Sequence, residues 1–267
     1  MSAPTRLRAA DPRFELWSQA AATRDEWRRI SLDPGPADRA SAESAIAAIY
    51  AHLNRPAPAF VWAASPAEAA PLITDRTSLD DLHRLVMRPA LRCRSPIASD
   101  LAAYRSRLRA RLDLQINPAI FDPPPPKRDK RSDPWPPLPP EPALRFGIPL
   151  SEVVRRHVRD ALRATLQFRS AVRAALGPPQ AQPICWYARH DVDWIGYADV
   201  WRRLGLASYS GADTSALDDW ATLARSAGWW WAADSVCVMS EPPSRVDLRG
   251  PTEVAALTWP DGWRVTA

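Results

Sequence analysis

Apolar residues recur at helical spacing along most of the first hundred positions. Asp11 is a capping residue followed by Pro12, and the pattern after it predicts an amphipathic helix. Beyond the break at Pro34–Pro36, the same spacing predicts a second helix that ends near Asn54. The apolar positions are Trp17, Ala20, Trp27 and Ile30 in the first helix, and Ala42, Ile46, Ile49, Tyr50 and Leu53 in the second.

The pattern changes at Ala59–Ala63, a short apolar stretch between prolines that predicts a buried strand. Ser65 and Glu68 then have the spacing of a capping box, in which each side chain accepts a hydrogen bond from a backbone amide. Residues 1–117 are expected to form a mostly helical N-terminal part. Two further helices are predicted there, one from Ser78 through Met87 and one that begins at Ser95-Pro96 and carries Leu101, Tyr104, Leu108 and Leu112.

Prolines dominate the next segment. Residues 118–149 contain twelve of the 29 prolines, so the segment lacks the backbone donors of a helix or a sheet interior. Extended polyproline or disordered chain is predicted, which makes this a linker or a long surface loop. Its basic centre, Lys127–Arg131, resembles a docking peptide for an aromatic-lined groove, but the linker interpretation is favoured.

The remaining part, residues 150–267, mixes helices with short strands. One long helix is predicted over Ser151–Leu176, with six arginines on the face opposite its apolar side. Asp261-Gly262 is a turn signal with a tryptophan on each side and predicts a hairpin. Further helices are predicted over His190–Leu204 and Asp213–Ala227, and strands over Pro183–Ala188, Trp229–Trp231, Val236–Met239, Val246–Leu248 and Ala255–Trp259.

The predicted fold class is therefore α+β and predominantly helical. It combines the helical N-terminal part, 1–117, with a tryptophan-rich C-terminal part, 150–267, that contains short antiparallel strands; residues 118–149 separate them. With 267 residues, of which 46% are hydrophobic, the chain can bury a core, and this excludes disorder throughout. The sequence leaves open whether the two parts share one core.

Cysteine usage and hydropathy indicate a cytoplasmic protein. The three cysteines are far apart and form no Cys-x-x-Cys motif, which suits a reducing compartment. The N-terminus lacks the apolar stretch of a signal peptide, and no apolar run approaches the roughly 20 residues of a membrane-spanning helix. No membrane partner is expected.

The net charge of +5 invites a nucleic-acid interpretation, because basic surfaces bind phosphates. However, all cationic side chains except Lys127 and Lys130 are arginines, and alanine and proline are abundant. This composition is typical of a bacterial protein from a GC-rich genome. Arginine content alone is thus poor evidence for nucleic-acid binding, and a solvated face is the favoured interpretation of the basic 151–176 helix.

One constellation could carry chemistry. His190, Trp194, Tyr197 and Trp201 are spaced four, three and four residues apart, which places them on one helical face, with Asp191 and Asp193 beside the histidine. The carboxylates would raise the pKa of His190 and the helix dipole would lower it. A pKa set by such opposing effects suits a general acid or base. The alternative, which is favoured, is a core stripe of aromatics under a helix cap. Trp230, which should point away from Trp229 and Trp231 in a strand, is a further candidate for a binding surface or a core lid.

No cofactor or metal site is predicted. Cys185 and Cys237 lie in apolar segments, where thiols are inert, and together with His190 they lack the close ligand pair of a structural zinc site. Gly-rich phosphate loops, His-Glu-x-x-His and Gly-x-Ser-x-Gly do not occur.

A set of tryptophan-containing motifs carries a family resemblance. In the C-terminal part they are Cys185–Asp191, Trp194, Tyr197, Asp199, Gly228–Trp231, Val236–Val238, Ser240–Pro242 and Asp261–Trp263, and in the N-terminal part Asp38-Arg39, Ala42-Glu43, Ala45-Ile46, Tyr50, Phe60–Trp62 and Ser65-Pro66. These residues are similar to an uncharacterised, mainly actinobacterial family described only as a domain of unknown function. The resemblance covers most of the chain outside 118–149 and implies homology, but neither an activity nor a ligand.

The chain departs from the family pattern at three places. Arg189 precedes His190-Asp191 where the family usually has glycine or glutamine, and the loop before the final hairpin is shortened to Gly250–Val254. The family's aromatic-histidine ending after the hairpin is also missing. The resemblance implies that a ligand bound by those parts elsewhere in the family would be lost here.

A non-catalytic binding or protein-interaction module is the favoured function, because no pair of catalytic groups is evident. The partner is unknown, with a protein as the leading candidate. The first alternative is an enzyme with a pocket at His190, Asp191 and Asp193, lined by Trp194 and Trp201, which requires a solvent-reachable His190. The second is nucleic-acid binding through the 151–176 helix.

Overall fold

Two long helices begin the described chain. Helix α1 is Pro12–Leu32 and helix α2 is Arg39–His52, and the side chains of Asp11 and Asp38 accept hydrogen bonds from their first-turn amides. Both predicted helices are thus confirmed, and so is the predicted cap Asp11. The computed structural model describes residues 11–73, 78, 80, 96–118, 135–178 and 182–267.

Strand β1, Ala59–Ala63, and the short helix α3, Pro66–Ala69, follow α2. Ser65 Oγ accepts a hydrogen bond from the Glu68 amide at 3.1 Å, as the capping pattern predicts. The strand prediction is confirmed, but its predicted burial is wrong, because β1 is an edge strand and Val61 is 38% exposed. Apart from Ser78 and Asp80, the predicted Ser78–Met87 helix lies outside the described residues.

Helix α4 is Ile97–Leu114 and buries the four apolar residues that predict it. Helix α5, Pro140–Arg145, lies within the proline-rich segment, where extended or disordered chain is predicted. That prediction is wrong for this stretch, because proline is tolerated in the first helical turn and Leu144 and Ile148 are buried in the core. Residues 119–134 lie outside the described part of the chain.

The predicted 151–176 helix is divided into several pieces. Helix α6, Leu150–Val154, continues through a π-helical segment, Arg155–Asp160, into α7, Ala161–Thr165, and a turn separates α7 from α8, Arg169–Ala175. The prediction of one uninterrupted helix is therefore wrong. Its apolar face is confirmed, since every residue assigned to it is buried, namely Val154, Val158, Leu162, Leu166 and Val172.

The segment before helix α9 differs most from the sequence prediction. Helix α9 is Val192–Arg203, and His190 belongs instead to a 3-10 turn, Ala188–His190. The predicted strand Pro183–Ala188 is wrong, since Trp186 and Pro183 make only isolated bridges. Helix α10, Gly211–Ser226, begins with Ser210 as its cap.

Short strands complete the chain and form two three-stranded sheets. In the first sheet β3 is central, with β1 parallel and β2 antiparallel to it; in the second, β5 lies between β4 and β6. The Trp259–Trp263 hairpin is confirmed, with Gly262 at φ 87°. The strands are β2 Trp230–Ala232, β3 Val236–Ser240, β4 Arg245–Arg249, β5 Glu253–Thr258 and β6 Arg264–Thr266.

One continuous apolar core contains side chains from both the N-terminal and the C-terminal part. Trp27, Ile46 and Leu108 belong to the same cluster as Trp201 and Trp220. The fold is α+β and mostly helical, as the sequence predicts. None of the described helices combines the length and the apolar character that crossing a membrane requires.

Candidate functional site

An open cleft lies between α4, the α7–α8 region and the start of α9. Its volume is about 360 Å³, and guanidinium groups dominate its walls. It is lined by Arg105 and Arg109 from α4, Arg163 from α7, Arg169, Ser170 and Arg173 from α8, Tyr187 and Asp191 from the segment before α9, and Asp193 from α9.

Asp191 is a buried carboxylate between two of these arginines. Arg105 Nη1 donates a hydrogen bond to Asp191 Oδ2 at 2.7 Å, and Arg169 Nη1 lies 3.8 Å from Oδ1. Arg169 also donates to the His190 carbonyl oxygen at 2.9 Å. These contacts tie α4 and α8 to the start of α9.

Asp193 forms a weaker pair with Arg163. The distance from Arg163 Nη2 to Asp193 Oδ2 is 3.3 Å, and the Arg163 side chain is 51% exposed. A long contact to an exposed guanidinium is worth little in stability, because water solvates the arginine and salt screens the charges. Arg163 is therefore readily available to another anion.

Two arginines of the cleft lie over aromatic rings. The guanidinium carbon of Arg105 is 4.9 Å from the Trp186 ring centroid, and that of Arg169 is 5.0 Å from the Tyr187 centroid. Cation–π contacts of this kind fix the planar guanidinium groups while leaving N–H donors for an anion.

Arg109 is the cation of the cleft that lacks a partner. Its side chain is half-buried and makes no hydrogen bond or ion pair with any residue that the structure describes. Burial and the neighbouring Arg159 guanidinium lower the pKa of Arg109. The Asp193 and Asp191 carboxylates act in the opposite direction, although neither forms an ion pair with Arg109. Because arginine stays protonated at neutral pH despite such a shift, Arg109 carries its charge in the cleft without an ion-pair partner among the described residues.

The charges of the cleft do not balance. Five arginines face two aspartates, an excess of three positive charges. Burial raises the pKa of the Asp191 carboxyl, although Arg105 and Arg169 act in the opposite direction. A concave site with excess positive charge concentrates anions from solution, since its walls limit screening by water.

His190 is not placed as an acid or a base. Its ring is 1% exposed, and Nδ1 accepts a hydrogen bond from Trp229 Nε1 at 2.9 Å. Burial, with help from Arg189 and Arg169, lowers the pKa of His190 to about 3, so the ring is neutral at physiological pH. The solvent-reachable histidine that the enzyme hypothesis requires is therefore contradicted, because the protein fold encloses the ring completely.

The aromatic residues predicted to line a pocket are mostly core. Trp194, Trp201 and Trp230 are buried in the apolar core. Tyr197 is half-buried, with the Arg159 guanidinium 5.4 Å from its ring centroid. Of the predicted site residues, only Asp191 and Asp193 line the cleft.

Sequence reasoning missed Arg105 and Arg109, which form one wall of the cleft. Their spacing of four residues places them on the same face of α4, and this was the available signal. Arg189 has a structural role, because its side chain is 2% exposed and donates to the carbonyl oxygens of Asp33 and Gly35 at 2.6 and 2.9 Å. Arg189 thus anchors the α1–α2 loop and does not contribute to the cleft.

The remaining candidate chemistry does not converge on a site. Burial raises the pKa of the Cys185 and Cys237 thiols, which keeps both protonated. Within the described ranges, no group of three or more histidine, cysteine or acidic side chains could hold a metal ion.

Comparison with known proteins does not assign the cleft. No protein-family model, curated protein or solved structure matches the chain. Its function therefore has to be argued from the geometry of the arginines.

Proposed function

We propose that the protein is a non-catalytic binding module whose cleft takes a small ligand with one or more phosphate groups. The observation that carries this proposal is Arg109, a half-buried guanidinium without a partner in the described structure, in a cleft with four other arginines. Placing an unpaired cation there costs stability, and proteins accept such costs at functional sites.

The chemistry of the arginines favours phosphate over carboxylate. A guanidinium presents several N–H donors in a fixed planar arrangement, and a phosphate group offers several oxygens with up to two negative charges. A carboxylate offers two oxygens and one charge. An excess of three positive charges is thus better matched by a phosphate ester or a diphosphate.

The size of the cleft favours a small molecule. Ligand pockets in proteins have volumes of about 300–1,000 Å³, and the cleft lies at the low end of this range. A nucleic acid would need an extended basic surface instead. Along the 151–176 segment, Arg155 and Arg156 are already paired with Glu152, so they do not extend the positive surface freely.

The surroundings of the cleft favour binding over catalysis. Asp191 is in contact with guanidinium groups, while the neutral His190 faces Trp229 and Phe168 in the core. The Asp191 carboxylate is thus engaged with cations, whereas general base catalysis would need it to reach a substrate proton.

The test is the affinity for pyrophosphate of the wild type and of the Arg109→Ala variant. We expect the variant to bind at least about tenfold more weakly, because a hydrogen bond to a charged group contributes about 1.5–3 kcal/mol. Isothermal titration calorimetry measures this directly. Thermal melts without ligand should show Arg109→Ala at least as stable as the wild type, since its removal takes away a half-buried charge and no hydrogen bond or ion pair among the described residues.

Arg107→Ala is the matched control. Arg107 lies two residues away on α4, is exposed and does not line the cleft, so its removal changes the net charge equally. Equal weakening by both variants, or no pyrophosphate binding by the wild type at low salt, would refute the proposal.

A further inference from the structure

Asp191 makes the contacts that an anionic ligand would make. Its carboxylate oxygens lie 2.7 Å from Arg105 Nη1 and 3.8 Å from Arg169 Nη1, and both guanidinium groups line the cleft. One N–H group cannot make a full hydrogen bond to two anions at the same time. The carboxylate and an incoming phosphate therefore compete for these arginines.

We propose that Asp191 is a built-in competitor of the ligand, so that neutralising its carboxylate strengthens anion binding and binding of the anion takes up a proton. This inference rests on the proposed function of the cleft. It assigns the site a form of regulation, since affinity then responds to pH through one carboxyl group.

The charged groups around Asp191 support a link between its protonation and anion binding. Arg105 and Arg109 face it from α4, Arg169 faces it from α8, and Asp193 follows it on α9. Burial raises the pKa of the Asp191 carboxyl, and the Asp193 charge acts in the same direction. An anion between the same arginines would add a further negative charge and raise this pKa again.

Linkage then fixes the direction of the pH effect. If anion binding raises the pKa of Asp191, protonation of Asp191 must raise the affinity for the anion by the same factor. Affinity increases as the pH falls towards the pKa of Asp191.

The experiment uses sulfate, which stays doubly charged over the pH range concerned, so that only protein groups titrate. Sulfate is titrated into the wild type and into Asp191→Asn at about pH 7.5 and about pH 5. We expect Asp191→Asn to bind about tenfold more tightly at the higher pH, because one charge about 5 Å away at an effective dielectric of about 20 exceeds the corresponding 1.4 kcal/mol. The difference in affinity between the wild type and Asp191→Asn should be smaller at the lower pH.

Asp247→Asn is the matched control, because Asp247 also pairs with two arginines, Arg245 and Arg264, but lies in the C-terminal sheet. It should leave sulfate affinity and its pH dependence unchanged. A second measurement, on the wild type alone and at the lower pH, determines how many protons the protein takes up on sulfate binding, through calorimetry in buffers with different heats of ionisation. This measurement decides the question if Asp191→Asn melts too early to be titrated.

The outcomes separate the two proposals. Sulfate binding that is equal or weaker in Asp191→Asn, or binding by the wild type without proton uptake, overturns the competitor role and leaves the binding function standing. If neither wild type nor Asp191→Asn binds sulfate at either pH, both proposals are overturned. Tighter binding by Asp191→Asn together with proton uptake supports both.

Discussion

At the scale of single residues, His190 shows how burial decides the state of a titratable group. The ring is enclosed, edge-on to Phe168 at 4.7 Å between centroids, and accepts a hydrogen bond from Trp229. The fold therefore stabilises the neutral ring. The unfolded chain takes up a proton at this histidine below its ordinary pKa of 6.5, whereas the folded protein does so only near 3.

This difference predicts that His190 makes the protein less stable as the pH falls below 6.5. Between about pH 7.5 and about pH 5.5 the loss from this residue should be about 1.4 kcal/mol, since each unit of pKa difference corresponds to 1.36 kcal/mol. Urea unfolding of the wild type and of His190→Asn at both pH values measures it. Asparagine keeps an oxygen acceptor for Trp229 but does not titrate.

His190→Asn should therefore lose less stability on acidification than the wild type does. Comparing the two proteins removes the opposing contribution of Asp191 and that of His157, whose pKa burial also lowers. An identical pH dependence in both proteins would show that His190 is not the neutral group described.

At the scale of elements, helices α9 and α1 pack closely against each other in the core. Gly196 on α9 packs against Trp27, and a Cβ atom at this position would lie 2.9 Å from Leu162 Cδ1 and 3.0 Å from Trp27 Cγ. Trp27 Nε1 also donates a hydrogen bond to the buried Asp199 at 2.9 Å. A glycine here serves packing, not backbone flexibility.

Gly196→Ala should therefore destabilise the protein although alanine is the better helix former. Overpacking a rigid core costs about 1–3 kcal/mol, which outweighs a gain in helix propensity of about 1 kcal/mol or less. Gly211→Ala is the matched control, because nothing lies within 4 Å of a Cβ atom there. Urea unfolding should show a lower midpoint for Gly196→Ala only; equal midpoints would contradict the packing argument.

At the scale of the whole molecule, the two parts of the chain are joined by a sheet and a core. Strand β1 from the N-terminal part pairs in parallel with β3, so that Phe60 lies beside Cys237. Parallel pairing needs a long connection, and here most of the chain forms it. The cleft depends on this assembly, since its walls come from α4, α7–α8 and α9.

Local signals explain what the sequence could predict. The capping residues Asp11 and Ser65, the periodicity of α1 and α2 and the Asp261-Gly262 turn each depend on neighbours along the chain. The sequence does not predict the break between α7 and α8, because no glycine or proline lies between Leu166 and Val172 to mark it. The sequence does not show either that β1 is an edge strand and only partly buried, since edge and central strands have similar compositions.

The cleft was only partly predictable, for a physical reason. The sequence singles out Asp191 and Asp193 for their proximity to His190, and Arg163, Arg169 and Arg173 are three of the six arginines on the predicted basic face of the 151–176 helix. The convergence of these residues with Arg109 depends on how three distant segments pack. In a chain with many arginines, no local feature distinguishes the cleft arginines from solvated ones.

The most direct test of the account is nuclear magnetic resonance of the arginine Nε–Hε groups during a pyrophosphate titration. Signals of cleft arginines, above all Arg109, should shift and saturate together, while those of Arg245 and Arg264 in the C-terminal sheet should stay in place. Saturation at one stoichiometric equivalent would support a single anion-binding cleft. Small, unsaturated shifts spread over all arginines would contradict it.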